Sequence, residues 1–406
     1  MASTVVPMRT PAETALIERF EAEKGALSGA MEARAAAFAR FAGKGLPSKR
    51  VEAYHYTDLR QAIRTVGKSG CAGITVPAAP AGVTIEPLAD ALVKGLVPGR
   101  AMGQAEDVVV DLNTALMREG VAIRVPAGMT VEAPLVLGFV QPVGAATSSH
   151  ARVVVEIGAG ASVMLVETHD GPDALAYQEN QVVELILGAG AKVQHVRVNT
   201  AGSEAVVLST LAASLGAEAE LMSLNVSMGG VVSRHQSFIT YAGEHAKLDL
   251  RGATMIRGRQ HADNTLVVDH AVPHGTSREL FRTVVDDEAQ GVFQGKIIVR
   301  QHAQKTDGQM ASNALLLGDE AGMANKPELE IFADDVVCAH GATCGALEES
   351  QLFYLMARGL PRPQAEALLV EAFLGEVIEV IDDETLREIL AGRISAWLAT
   401  RQAAGA

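Results

Sequence analysis

The apolar and polar positions of this chain fall into three periodic regimes. From Pro11 to about Lys44 the apolar residues recur at helical spacing. Ala15, Leu16, Arg19 and Phe20 open one amphipathic segment, and the alanine-rich run from Ala30 to Ala42 predicts a second, ended by Gly43, Gly45 and Pro47. A mixed stretch follows, then a Gly/Pro/Ala linker from Gly67 to Gly82. Beyond Glu348 the helical period returns. Leu352, Leu355 and Met356 begin a helix stopped by Gly359-Leu-Pro361, and Ala365, Leu368, Leu369, Ala372, Phe373 and Val380 mark one face of a second. Asp382-Asp-Glu384 supplies an N-cap and an acidic first turn for a third helix reaching about Ala399.

The middle of the chain repeats. Glycines 128, 158, 188, 216 and 243 open similar short motifs spaced 30, 30, 28 and 27 residues apart. A fixed period of this size marks a stacked repeat architecture. After Gly216, Met222, Leu224, Val226 and Met228 alternate with Ser223, Asn225 and Ser227, which predicts a half-buried strand. Glycine corners with positive φ at Gly158 and Gly188 then complete a β-helix, in which each turn buries its apolar face on the next. A sandwich of ordinary hairpins is the competing arrangement, and spacing leaves open whether a period is one turn or two. Three units result: a helical and mixed region over 1–82, a β-helix core over 83–347, and a helical region over 348–406.

Composition narrows the function. Among 406 residues, Lys+Arg number 34 against 48 Asp+Glu, a net charge of −14 that argues against nucleic acid or an anionic membrane as partner. No basic-then-apolar leader pattern opens the sequence, and no window approaches the roughly 20 apolar residues of a membrane span. Reduced thiols in a cytosol are therefore the expected state of Cys71, Cys338 and Cys344.

The densest chemistry lies in Asp334-Asp-Val-Val-Cys-Ala-His-Gly-Ala-Thr-Cys-Gly345. If this run is a strand, Cys338, His340 and Cys344 project from one face as soft ligands for iron or zinc. Two other outcomes stay open: both cysteines fill buried rungs, or Gly341 breaks the strand. An iron–sulfur cluster usually takes four protein ligands. With three cysteines, Cys71 in another region and no C-x-x-C, a self-contained cluster is not expected, and a set completed by another subunit stays open. A second polar group, His261, Asp263, His270 and His274, reads as a solvated or interfacial strip. Lys305-Thr-Asp-Gly308 reads as a tight turn. Asp286-Asp-Glu288 and Asp382-Asp-Glu384 offer paired carboxylates for acid/base work, or else a strand edge and a helix cap. No dinucleotide or P-loop fingerprint is present, so any ATP chemistry belongs to a partner.

Three blocks resemble the SufB/SufD family of SUF iron–sulfur cluster assembly scaffolds, in its SufD branch. They are the run from Gly45 to Leu59, which contains Val51-Glu-Ala-Tyr-His-Tyr-Thr-Asp-Leu59, the pair Lys305–Gln309 and Asn313–Leu317, and the run Lys326–Thr343. His340-Gly341 is the SufD-like form of the last block. The resemblance implies a right-handed parallel β-helix between helical ends, and a non-enzymatic scaffold in a heterocomplex with SufB and the ATPase SufC. It implies that Cys338 and His340 meet SufB where a transient, shared iron–sulfur cluster forms, with no cofactor held stably by this chain alone. Cys344 is not a position the family pattern requires. SufC would dock on the carboxy-terminal helices, whose polar face carries Glu366, Glu371, Glu376 and Glu379, while an apolar helical face caps the solenoid. The expected compartment is the cytoplasm. Two competing classes are an exported-type β-helix carbohydrate-active enzyme, against which the 4% aromatic content weighs, and a self-associating structural solenoid.

Overall fold

The computed structural model describes residues 9–404 apart from residues 72 and 145. Helices α1 (Pro11–Glu23), α2 (Met31–Lys44) and α3 (Leu59–Ala62) lead into the short strands β1 (Lys68–Ser69), β2 (Gly73–Thr75) and β3 (Thr84–Pro87). Helices α4 (Leu88–Val93) and α5 (Val108–Leu116) follow. The repeating strands are β4 (Glu119–Val125), β5 (Leu135–Val140), β6 (Thr147–Ile157), β7 (Ser162–Asp170), β8 (Gln178–Leu187) and β9 (Lys192–Thr200). They continue through β10 (Val206–Leu215), β11 (Glu220–Ser227), β12 (Val232–Tyr241), β13 (Lys247–Ile256) and β14 (His261–His270). The last are β15 (Thr276–Val285), β16 (Gln290–Val299), β17 (Asp307–Leu316), β18 (Gly322–Ile331) and β19 (Val337–Gly345). Helices α6 (Glu349–Met356), α7 (Arg362–Ile378) and α8 (Glu384–Ala404) close the described chain.

Even-numbered strands from β4 to β18 form one parallel sheet, and odd-numbered strands from β5 to β19 form the other. One sequence period is therefore one full turn of two strands. The register is continuous, running Gln178, Val206, Val232, His261, Gln290, Gly322 down the even sheet. The architecture is a parallel β-solenoid, closed at its first turn by antiparallel pairing of β3 with β4 and β2 with β5.

The corner glycines work differently from the sequence expectation. Gly158 and Gly188 do not have positive φ. A Cβ on Gly188 would lie 2.7 Å from the backbone nitrogen of Ala159 in the preceding turn, and one on Gly158 would lie 2.4 Å from that of Ala127. These glycines permit close approach of one turn to the next. The left-handed residue comes two positions later, at Gly160 and Gly190, and their N–H groups donate to the next turn at Ala189 and Ala217 (both 2.8 Å).

Burial also departs from the simple alternation. In β11 Leu221 joins the apolar lumen, and Ser223, Asn225 and Ser227 follow it on the same row. Asn225 donates to Asn264 across the lumen at 3.1 Å. Leu224 and Val226 point outward but are buried too, beneath Val370, Leu374, Val377 and Ile378 of α7 and Leu390, Ile394 and Trp397 of α8. This strand is covered on both faces, because the terminal helices lie along the odd sheet and do not cap the open end. The helix stripe shifts accordingly. Ala365 is buried as expected, whereas Leu368 and Ala372 are exposed.

The outer face of the even sheet is covered by the amino-terminal helices. Leu16, Phe20 and Phe41 pack with Leu112, Val206 and Leu208. Arg152 and Glu184, both fully buried, pair at 2.7 Å. Arg152 also donates to Asn113 and Thr114 of α5, while Glu184 accepts the N–H groups of Gly99 and Ala101. Removing one member would strand a buried charge.

One side of the lumen is polar. Glu167 accepts from or pairs with His195 Nε2 (2.5 Å) and His169 Nε2 (3.2 Å), and His195 Nδ1 meets Ser223 Oγ at 2.9 Å. These imidazoles hold the Glu167 carboxyl far below the usual range although burial opposes them. Glu279 is the opposite case. Its side chain is buried with Ser277 beside it, neither oxygen makes a well-formed hydrogen bond, and burial pushes its carboxyl up to about 8.

Two predictions follow from this packing. Gly188→Ala, which drives a Cβ into Ala159, is expected to cost about 1–3 kcal/mol in urea unfolding, and Gly190→Ala, open but left-handed, about 1 kcal/mol. For Glu279 the folded state holds its proton more tightly than the unfolded chain does. Its contribution is thus intact at acid pH and lost as pH rises through about 8. Glu279→Gln should raise the melting temperature relative to wild type at pH 9 and change it little at pH 4.

Candidate functional site

The solenoid ends on an incomplete turn. β18 pairs only with β16 and β19 only with β17, so among the described residues each leaves one edge without a strand partner. An unpaired parallel edge presents backbone donors and acceptors to an incoming chain. Apolar side chains stand exposed around it: Ile331, Phe332 and Val337.

β19 runs unbroken through Gly341, which aligns with Ala311. Cys338, His340 and Cys344 align with Gly308, Met310 and Ala314, which fixes them in one row of the terminal strand. The strand and shared row expected from sequence are both present, and neither cysteine is a buried filler. Cys338 is half-buried against the lumen core, while His340 and Cys344 are exposed. Gly308 lies behind Cys338 with Ser277 one turn deeper, and a Cβ on Gly308 would meet Ser277 Oγ at 3.3 Å and Ile297 at 3.5 Å. Burial raises the Cys338 thiol above its ordinary value, and Asp307 and Glu279 act in the same direction. Metal ligation there must displace a proton. Cys344 Sγ receives a hydrogen bond from Asn325 Nδ2 at 3.2 Å, and Asn325 Oδ1 accepts from Ser312 at 2.7 Å. Cys71 is exposed and lies near Glu119 of the first turn, at the opposite end of the solenoid.

The second polar group is not a solvated strip. Asp263 is buried and receives Arg234 and Thr57, and His261 meets Thr57 Oγ1 at 2.8 Å. His270 is buried on the lumen side, stacked on Tyr241 with ring centroids 4.1 Å apart. Only His274 is exposed. Thr57 reaches Asp263 from the amino-terminal block, whereas Arg234 belongs to β12. Tyr54 donates to Asp107 (2.7 Å) beneath the Arg234 guanidinium, which lies 4.0 Å from its ring, and Ala53 O accepts from Arg234 and Gln294. Glu52 pairs with Lys326 of the terminal turn. The sequence block that carried the resemblance thus braces the even sheet behind the open end. These contacts span residues far apart in the chain, and no local signal announces them.

Lys305 forms a left-handed corner, but Asp307 and Gly308 already belong to β17, and Asp307 pairs with Arg278 at 2.7 Å. Asp287 is likewise a corner residue with φ 53°. Asp383 caps α8 by accepting from Leu386 N at 2.8 Å. Both acidic runs are structural.

On α7 Glu366 is paired with Arg362 at 2.9 Å, Glu371 accepts from Ser395 of α8 at 2.6 Å, and Glu376 pairs with Arg282 of β15. Glu376 and Glu379 are the exposed members. One of the four carboxylates, Glu376, therefore binds the helices to the solenoid, while Glu371 ties α7 to α8. The sequence places α6 by Leu352, Leu355 and Met356, but does not mark its exposed Phe353 and Tyr354 as a surface. Its side chains at successive positions carry no single stripe that would have marked them.

Comparison with known proteins agrees with this architecture. Residues 139–373 match the SufBD core domain of the SUF system for FeS cluster assembly, and residues 15–67 match the SufBD protein N-terminal region. An iron–sulfur cluster assembly SufBD family protein of Synechocystis is 35% identical over 296 residues, covering 69% of this chain and 64% of that protein. The iron–sulfur cluster assembly protein SufD of Escherichia coli is 31% identical over 298 residues, covering 73% and 70%. A SufBD family protein of Mycobacterium bovis is 29% identical over 404 residues, covering 95% and 96%. With a parallel solenoid under the matched core and helices under the matched amino-terminal region, the chain belongs to the SufBD family of iron–sulfur cluster assembly proteins.

Proposed function

We propose that this chain is a SufD-type scaffold subunit: a non-enzymatic, cytoplasmic component that pairs with a SufB-like subunit and docks a SufC-like ATPase. The observation that carries the reading is the row of Cys338 and His340 on a terminal strand whose outer edge lacks a strand partner. A partner that completes the turn would bring its own ligands to the same row. The nascent iron–sulfur cluster is cargo there, shared between Cys338, His340 and that partner, which answers the shortage of ligands in this chain. Cys344, engaged by Asn325, stands at the margin.

The ATPase surface follows from the carboxy-terminal helices. Their buried faces are spent on the odd sheet, and Glu371 and Glu376 are engaged internally. The docking face therefore centres on Phe353, Tyr354 and Met356 of α6 with Leu368 of α7, rimmed by Glu366 and Glu379. Deleting the helices would uncover Leu224, Val226 and Met255, so point variants give the sharper test.

His340→Ala is expected to leave the purified complex intact and lower its cluster yield, with Cys338→Ser having a similar or smaller effect. Full yield from the double variant would remove these residues from the site. On α6, Phe353→Asp with Tyr354→Asp should abolish capture of the SufC-like ATPase without lowering the melting temperature. Glu376→Lys should instead cost about 0.5–1 kcal/mol of stability through the lost Arg282 pair. Unchanged ATPase affinity in the α6 variant would move the docking face elsewhere.

A further inference from the structure

Between the amino-terminal block and the outer face of the even sheet lies a cavity of about 310 Å³. Strand register sets its floor. One row across β12, β14 and β16 runs Phe238, Val267, Lys296, and the next across β14, β16 and β18 runs Thr265, Gln294, Lys326. Neighbouring strands stand about 4.8 Å apart, so the floor passes from apolar to cationic within a few strand spacings. Ile298 extends the apolar part, and Ala53 and Ala105 line the cavity from the amino-terminal segments. The volume is about twice that of an apolar cavity of roughly 150 Å³ that holds one benzene. It reaches the range of small-molecule sites, which begins at about 300 Å³.

Most polar groups around the cavity are already engaged. Gln236 donates to Asp107 (2.9 Å) and Thr210 (3.0 Å) and accepts from Tyr54 (3.3 Å), while Arg234 is held by Asp263 and Ala53 O. Gln294 differs. It is buried, its Nε2 donates to Ala53 O at 3.2 Å, and its Oε1 accepts no hydrogen bond among the described residues. A buried amide oxygen in this state calls for a donor.

The carboxylates nearby do not favour a cation. Asp107 caps α5 and accepts from Tyr54, Glu106 faces Lys44 at 3.5 Å, and Glu52 and Glu328 share the Lys326 ammonium. Lys296 pairs with Glu330, which is not part of the cavity lining. Glu52 and Glu330 are both exposed, so each pair is a weak surface contact that a ligand anion can replace.

We propose that this cavity binds a small flat aromatic anion. Its rings lie on Phe238, Val267 and Ile298, its anionic group meets Lys296 and Lys326, and a donor reaches Gln294 Oε1. A sheet face as floor and Phe238 as an aromatic partner favour a flat ring body over a branched one. None of these residues belongs to the Cys338–His340 row or to the α6 face, so failure of this assignment leaves the scaffold reading untouched.

The probe is 8-anilinonaphthalene-1-sulfonate, a flat anion with one N–H, titrated into the intact chain at pH 7.5 and followed by fluorescence and equilibrium dialysis. One saturable equivalent is expected on the wild type. Val267→Phe, which fills the apolar part, should abolish it, and Lys296→Gln should weaken it roughly tenfold through loss of a charge-assisted contact. Phe353→Asp with Tyr354→Asp removes the exposed aromatic surface of α6 and should leave the equivalent unchanged. Melting temperatures near the wild-type value separate binding from folding, and Lys296→Gln keeps the test decisive if Val267→Phe melts early. Three results would each overturn the assignment: no saturable equivalent on the wild type, wild-type affinity in either folded cavity variant, or loss of the equivalent in the α6 double variant.

Discussion

In a parallel solenoid the backbone N–H and C=O groups of each strand are satisfied only by the turns before and after it. Every feature of this protein depends on that constraint. Turns must stack at one spacing, so the chain keeps its period and places glycine where one corner meets the last, as Gly188 meets Ala159. The first turn is finished by antiparallel strands β2 and β3. The last is not finished within the described chain, and β18 and β19 end with an edge exposed. Natural sheets seldom leave such edges bare. On the proposed reading a partner completes the final turn, which is the turn that holds Cys338 and His340.

The two sets of helices solve a second problem, the outward faces of the sheets. Each face carries apolar residues that a free solenoid would expose. The amino-terminal set covers Val206 and Leu208 and is fastened by Arg152 donating to Asn113 and Thr114, by Thr57 to Asp263, and by Arg234 to Ala53 O. The carboxy-terminal set covers Leu224, Val226 and Met255 and is held by the Arg282–Glu376 pair and the Phe373 ring beneath the same guanidinium. The chain from β19 to α6 is short, Gly345 to Glu349. The strand that carries Cys338 and His340 and the exposed aromatic helix are thus neighbours in sequence.

The lumen is less uniform than a hydrophobic tube. One side is lined by Val163, Leu165, Leu185 and Leu187, the other by Glu167, His195, Arg197 and Asn199. Fully satisfied buried polar groups specify register, because a slip of one residue would put each imidazole against the wrong partner. The partly satisfied ones, such as Glu279, carry a cost that changes with pH.

The sequence by itself determined the order helix, solenoid, helix, because periods of 3.6 residues, 2 residues and about 30 residues are local or repeating signals. A shared row for Cys338, His340 and Cys344 is conditional on a strand through Gly341, and that continuity comes from the pairing of β19 with β17. The tertiary structure alone decided which face of β11 is the lumen, that α7 and α8 lie along a sheet, and that Asp263 and His270 are buried. Each of those depends on what packs against a strand from elsewhere in the chain. The same holds for the corners. Spacing located the glycines, but whether a corner glycine serves φ or close approach is set by the turn stacked on it, and only stacking sets His245 against His274.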